Sequence, residues 1–237
     1  MNRYDEIIAL RRELKRPGAL HHNKIQLRMV MWHFTIRCSA FFKRLMDIII
    51  SIVAIIVGSP IFLITALLIK LTSPGPIIFS QVRVGKFGRH FKFYKFRSMY
   101  IDAEMRKAEL MKQNESGDGV IFKIKRDPRI TPIGRFIRKF SIDELPQLFN
   151  VLLGDMSLVG PRPPLPTEVS AYTLEERKRL NITPGITCLW QVSGRSELPF
   201  SQQIALDKEY IASQSFWKDF LILLKTIPAI LTGKGAW

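Results

Sequence analysis

The chain is short of acid. Among its 237 residues, 36 lysines and arginines face only 20 aspartates and glutamates, so the formal charge is +16 and the isoelectric point is near 10.1. Such an imbalance points to a polyanionic partner: nucleic acid, an anionic membrane face or phosphorylated substrates. Cysteine is scarcer still. Cys38 and Cys188 stand 150 positions apart, with no spacing for zinc, haem or a redox pair and no disulfide framework, which suits a reducing compartment. Repeats and low-complexity tracts are missing, and an apolar content of 47% lies far from disordered, collagen-like or coiled-coil compositions. What remains is room for one ordinary domain with a substantial core, or a core with a small appendage.

Charge is also absent locally. Ile48 to Ile69 runs for 22 residues without one ionisable side chain, and uncharged apolar runs of that length signal a membrane. The basic excess lies around this run: residues 1–46 hold ten basic and three acidic groups, and residues 70–140 hold seventeen and six. Residues 141–237 are nearly balanced, with nine and ten. As one helix the run would be roughly 33 Å long, enough to cross a hydrocarbon core of about 30 Å. Gly58-Ser59-Pro60 interrupts it at the centre, and basic residues stand at both flanks (Arg37, Lys43 and Arg44 before; Lys70, Arg83, Lys86 and Arg89 after). Proline breaks a helix interior, and lysine and arginine mark the cytoplasmic side, so both ends are expected on one face. The expectation is a re-entrant hairpin turning at Ser59-Pro60, with Ser59 bonding backbone groups freed by the proline; a kinked spanning helix is the alternative. A cleaved signal peptide is not expected, because the run starts 47 residues in and no small-residue cleavage site follows it. Residues 1–40 form a basic extension with apolar positions at Ile7, Ile8, Leu10 and Leu14, suited to a membrane surface or to a solvated or subunit-contacting helix.

Beyond Lys70 the pattern is that of a soluble domain. Ile77–Val84 and His90–Ser98, joined by a glycine-bearing turn, read as a β-hairpin. Lys95 and Arg97, two apart on its second strand, are expected on one face, where they could hold a diphosphate or meet lipid headgroups. Residues 101–113 are helical in composition and 114–119 read as a loop. Next comes DPRITPIGRFIRK, then SIDELPQLFN. Leu145, Leu148, Phe149 and Leu152 recur at helical spacing, which predicts a helix starting near Asp143 with Pro146 in its first turn. Asp143 and Glu144 would then sit at the positive end of a helix, behind a cluster of arginines. Ser141-x-x-Glu144 also fits a capping box, so helix capping competes with a role as carboxylate nucleophile and metal ligand in phosphoryl transfer. Arg162 stands between two prolines and Arg195 ends a second rigid loop, Pro184–Arg195, so each is a candidate anion ligand. Phe216–Leu231 reads as an apolar helix of the core or the bilayer surface.

This order of segments resembles the bacterial sugar transferase family, the monotopic polyprenyl-phosphate phosphoglycosyl transferases. The resemblance covers about residues 41 to 232 and rests on the proline-broken apolar run, KFRSM, DPRITPIGRFIRK, SIDELPQLFNVLLGDMSLVGPRP and PGITCLWQVSGR. It implies an α/β fold, mostly α with a small β-hairpin or sheet. The implied parts are an N-terminal extension (1–40), a re-entrant membrane helix (41–71) and a cytosolic catalytic domain (72–237) ending in a membrane-interface helix, without the multi-helix N-terminal portion of longer members. The implied reaction moves a phosphosugar from a nucleotide diphosphosugar, expected to be a UDP-sugar, to membrane polyprenyl phosphate at the cytoplasmic face of the bacterial inner membrane. By motif position Asp143 resembles the nucleophile, Glu144 the partner carboxylate associated with Mg²⁺, and Arg138 the arginine linked to the polyprenyl phosphate. Arg162 and Arg195 match anion-binding arginines, and Ser59-Pro60 the helix-breaking pair. Lys95, Arg97 and Asp155 are further substrate-binding candidates, with a turn cap as the other role for Asp155. Cys188 stands where glycine is more usual, which bears on sugar preference.

Two other classes compete with this reading. A membrane-tethered nucleic-acid binder would use the basic block on phosphates, but no helix-turn-helix, RNP or zinc pattern supports it, so nucleic acid is the least expected partner. A catalytically dead scaffold for glycan assembly is opposed by the intact Asp143-Glu144 pair. The sugar, the pathway and the oligomeric state, a homodimer among the alternatives, are not set by the sequence.

Overall fold

A computed structural model describes residues 19–110, 124 and 127–233. The apolar positions of the first eighteen residues and the loop at 114–119 lie outside them. The first element of the described residues is one helix, α1 (Ala19–Thr72, 54 residues), that carries Pro60 in its interior. Here the structure departs from the expected pair of helices separated by a turn, because helical backbone continues through Gly58-Ser59-Pro60. Proline removes only its own amide donor, and the packing of α1 against the rest of the chain on both sides of it offsets that loss. Lys43, Asp47, Ser51, Ala54, Gly58, Phe62, Thr65 and Ile69 recur at intervals of three and four and form the inward stripe, at least half-buried throughout. The outward face carries exposed Ile49, Val53, Ile56, Val57, Leu63, Ile64 and Leu67. Ser59 and Pro60 are exposed.

The inward stripe is fixed by polar pins and one aromatic wedge. Lys43 Nζ donates to the Val159 carbonyl (3.0 Å) and pairs with Asp219 (2.6 Å). Arg44 donates to the carbonyls of Val151 and Leu152 (2.6 and 2.9 Å), satisfying groups that a helix end leaves open. Asp47 accepts from the Leu158 amide at 3.0 Å. Farther along, the Phe62 ring meets Phe96 at 5.6 Å and Phe149 at 6.3 Å, edge to face. Of the basic flank on which the one-sided placement rested, Lys43 and Arg44 are therefore internal bonds and do not face lipid.

The hairpin forms as expected. β1 (Ile78–Val84) pairs antiparallel with β2 (His90–Phe96), from Ile78 opposite Phe96 to Val84 opposite His90. The helix α2 (Ala103–Leu110) covers part of the predicted 101–113 segment, and α3 (Pro132–Lys139) starts with Thr131 accepting from the Gly134 amide at 2.9 Å and proline in its first turn. After α4 (Gln147–Leu153) comes a second small sheet, in which β3 (Ser157–Val159) runs parallel to β4 (Gly185–Thr187). That pairing needs two glycines: a Cβ on Gly185 would overlap the Gly160 amide, and one on Gly160 would lie 2.5 Å from the Thr183 carbonyl. α5 (Pro166–Ala171), α6 (Phe200–Ser213) and α7 (Phe216–Thr232) complete a mostly helical fold with two small sheets. The core joins Phe91 and Phe93 of β2, Leu148 and Val151 of α4, Leu158 and Val159 of β3, Tyr210 of α6 and Ile222 of α7. Asn150, fully buried, donates to the Lys92 carbonyl (2.6 Å) and accepts from the Tyr94 amide (3.1 Å). It thereby locks α4 to the strand that carries Lys95.

Candidate active site

A half-open cleft of about 410 Å³ brings together Asp143, Glu144, Lys95, Arg138, Arg162 and Arg195. These six candidates come from β2, α3, the turn before α4, and the loops after β3 and β4. Asp143 and Glu144 do not lie on the expected α-helix: they occupy a 3₁₀ turn, Ile142–Glu144, and α4 begins at Gln147, with Pro146 preceding it as N-cap. The reason is Ser141, whose backbone is left-handed (φ 54°) and whose side chain caps nothing. A capping box is not formed. Instead, Glu144 Oε1 accepts from Lys95 Nζ at 2.9 Å and from Arg162 Nη1 at 3.0 Å, while Lys95 Nζ lies 3.6 Å from Asp143 Oδ2. Arg195 is also left-handed (φ 51°). A non-glycine residue held there costs on the order of 1–2 kcal/mol, and both of these residues line the cleft.

Adjacent carboxylates in one cleft are shifted in opposite directions. Burial raises the Asp143 carboxyl above its ordinary range and Glu144 adds to this, while the charge of Lys95, then those of Arg138 and Arg162, oppose it. Burial would also raise Glu144, but Lys95 and Arg162 outweigh it by charge and hydrogen bond and hold that carboxyl well below the usual range. Lys95 itself is pushed down by burial and supported by Glu144 and Asp143. Environments that drive two neighbouring acids apart assign them different work. Glu144 is a permanent anion tied to two cations, whereas Asp143 is the less neutralised, more basic oxygen donor.

Two of the sequence candidates are elsewhere. Arg97 is buried, and its guanidinium donates to the carbonyls of Ser73 (2.6 Å) and Pro74 (2.7 Å), tying β2 to the turn that ends α1. Its amide still donates to the Ile77 carbonyl at 2.9 Å, so the strand spacing holds, but its guanidinium is taken by the turn's carbonyls and it does not line the cleft with Lys95. Asp155 follows the C-cap Gly154, its amide bonded to the Asn150 carbonyl, and lies outside the cleft lining. Conversely, the cleft includes residues not expected there from the sequence: Arg83, read only as part of the basic flank, Tyr172, Arg179, Trp190 and Gln203, with Ala54 of α1 and Thr226, Ala229 and Ile230 of α7. Arg83, the one charged residue of β1, donates to the Pro163 carbonyl at 3.1 Å and stacks on Phe93. Arg179 pairs with Asp207 at 2.6 Å and donates to the Tyr172 hydroxyl at 3.0 Å; nothing sets it apart from its basic neighbours in ERKRLN. The Cys188 thiol, raised by burial, donates to Gln191 of the cleft wall at 3.1 Å.

Among the described residues no group of three or more His, Cys, Asp or Glu side chains could hold a metal. Asp143 and Glu144 nevertheless suit Mg²⁺, a hard cation that is commonly bound by one or two carboxylates with waters and substrate phosphates. Both cationic bonds to Glu144 fall on Oε1, so its second oxygen is not used by either.

The family model described as bacterial sugar transferase matches residues 38–233. The chain belongs to the bacterial sugar transferase family. It is 48% identical over 195 residues to the galactosyl transferase CpsE of Streptococcus agalactiae, covering 82% of this chain and 43% of that one. With the undecaprenyl-phosphate galactose phosphotransferase of Salmonella typhimurium it shares 41% over 223 residues, 91% of this chain and 46% of that one. The chain thus spans less than half the length of these curated relatives. It covers 88% of the exopolysaccharide production protein ExoY of Sinorhizobium fredii, at 38% identity over 198 residues. The family match takes in every cleft residue named above, together with the C-terminal part of α1.

Proposed function

We propose that the protein is a polyprenyl-phosphate phosphoglycosyl transferase that starts glycan assembly, such as exopolysaccharide, capsule, O-antigen or glycoprotein glycan, by moving a phosphosugar from a UDP-sugar to undecaprenyl phosphate. The observation that carries this reading is the cleft itself: an oppositely tuned Asp143-Glu144 pair among Lys95, Arg138, Arg162 and Arg195, with one wall supplied by the apolar helix. The names of relatives support the substrate class, since they include galactose, N-acetylgalactosamine and glucose phosphotransferases acting on undecaprenyl phosphate.

In the first step an Asp143 carboxylate oxygen attacks the phosphorus that bears the sugar. The bond from that phosphorus to the bridging oxygen breaks, and nucleoside monophosphate leaves with the electron pair. In the second step a phosphate oxygen of the polyprenyl phosphate attacks the same phosphorus, and the Asp143 carboxylate departs. Splitting the transfer lets the soluble product leave before the lipid acceptor reacts. Lys95 and Arg162 hold Glu144, and Arg138, Arg162 and Arg195 neutralise phosphate oxygens as charge develops. Mg²⁺ held by Glu144 beside Asp143 would supply further charge neutralisation on the diphosphate.

The pins on α1 support a membrane arrangement. Its apolar run is preceded by Lys43 and Arg44, tied to Val151, Val159 and Asp219, and closes at Ile69, buried with Phe96 and Ile137, so both flanks of the run belong to one body. A monotopic placement at the cytoplasmic face, with the exposed apolar side of the continuous helix in one leaflet, suits that better than a crossing. The enzymatic reading is tested by supplying UDP-galactose, UDP-glucose and UDP-N-acetylgalactosamine with Mg²⁺ and undecaprenyl phosphate and measuring UMP release. At least one donor should release UMP, and Asp143→Asn should abolish it; release unchanged by Asp143→Asn, or none from any UDP-sugar, overturns the reading.

A further inference from the structure

The cleft has a second wall that phosphate chemistry does not use. Ala54 of α1 faces it together with Thr226, Ala229 and Ile230 of α7. The two helices share a pin, the Lys43–Asp219 ion pair, and Ala54 and Ile230 each stand eleven residues beyond it. At about 1.5 Å per residue, both helices reach the cleft after roughly 16 Å from a common start. On each helix the residues next to the lining are exposed and apolar: Val53, Ile56 and Val57 on α1, Ile227 and Leu231 on α7. A side chain no larger than alanine marks the lining on both sides. Elsewhere the lining includes Arg83, Arg179 and Gln203, with the rings of Tyr172, Trp190 and Phe200.

We propose that the space between α1 and α7, over Ala54 and Ala229, is the path by which the acceptor's isoprenoid chain leaves the cleft for the bilayer. The inference rests on the transferase reading above. Its physical basis is that an acceptor with a charged head and a long apolar tail must place the head near Asp143 while every methylene beyond it gains by leaving water, about 0.8 kcal/mol per buried CH₂. Only a lining that passes continuously from the carboxylates to membrane-facing side chains offers both. The α1–α7 lining adjoins exposed apolar side chains on both helices, whereas beside Arg83, Arg179 and Gln203 burying an isoprenoid would strip water from arginine and glutamine.

The test uses the full chain in detergent or nanodiscs with a polyprenyl phosphate bearing a photoreactive diazirine on the isoprene units next to the phosphate. Irradiation should crosslink residues around Ala54 and within Thr226–Ile230, and unlabelled polyprenyl phosphate should compete. A second measurement is kinetic. Ala229→Leu should raise KM for undecaprenyl phosphate at least fivefold more than KM for a two-isoprene phosphate, because only the long chain must pass the narrowed space. Crosslinks confined to Arg83, Arg179 or the hairpin, or an equal effect on both acceptors, overturn the path. UMP release with Asp143 intact separates this failure from failure of the transferase reading, which predicts release whatever route the lipid takes.

Discussion

Lys95 decides how Asp143 behaves. Burial makes the Asp143 carboxyl reluctant to ionise, and Lys95 is the foremost charge opposing that tendency. In the proposed transfer the nucleophile is the ionised form, so UMP release in the absence of acceptor should fall on the acid side, with a midpoint above the ordinary carboxylate value near 3.9. Lys95→Met removes the opposing charge, so this midpoint should move to higher pH and the rate at neutral pH should drop; a pH profile of single-turnover release checks it, and a midpoint that stays or moves down refutes the assignment. Arg97, two residues on, should behave in the opposite way. Its truncation leaves the Ser73 and Pro74 carbonyls without their donor, at about 1–3 kcal/mol for each buried group left unsatisfied. Arg97→Ala should therefore lower denaturant or thermal stability by a few kcal/mol while the KM for donor stays within twofold, the pattern of a structural pin.

At the scale of elements, the cleft depends on backbones brought into contact by glycine. Gly160 and Gly185 let β3 and β4 cross closely enough to pair, and Arg162 follows two residues after the crossing. Gly185→Ala puts a methyl group into the Gly160 amide; overpacking of this kind costs typically 1–3 kcal/mol, and the displaced loop should also reduce kcat. Circular dichroism melts and UMP release on the same preparation separate the two effects. Much of this framework was legible in sequence. Two strand-like runs and the glycine-bearing turn located the hairpin, and Pro184–Arg195 was readable as a rigid loop ending in a cation, within which β4 forms. The helix start at Asp143 was not, because the apolar spacing of Leu145, Leu148 and Phe149 is shared by a 3₁₀ turn leading into a helix, and the left-handed Ser141 that separates the two leaves no periodic signature. The site was legible where charge is concentrated in a motif, as with Arg138, Asp143 and Glu144. It was not legible where a cleft residue comes from a distant strand or helix, as with Arg83, Arg179 and Ala54. Arg97 misled because two cations at a strand spacing of two look alike until one of them meets a turn's carbonyls.

For the whole molecule, the basic excess divides into cations that line the cleft, cations that bond the fold together and cations left at the surface. Lys43 and Arg44 belong to the second kind, so a one-sided membrane placement rests on their contacts with the catalytic body and not on their charge facing lipid. Cysteines placed at the exposed positions Phe42 and Leu71, in a background with Cys38 and Cys188 replaced by serine, should both be shielded from an impermeant thiol reagent added outside intact cells and both react after lysis. Labelling of one of the two from outside would mean a crossing helix. The central claim is chemical: one buried aspartate carries the phosphosugar between a soluble donor and a lipid acceptor. Its most direct test is mass spectrometry of the protein incubated with a UDP-sugar that supports UMP release, with Mg²⁺ and no acceptor. The chain should gain one phosphosugar, located on Asp143 by peptide fragmentation and removed when undecaprenyl phosphate is added. An unmodified chain under these conditions, or an adduct on another residue that turns over with the acceptor, would contradict it.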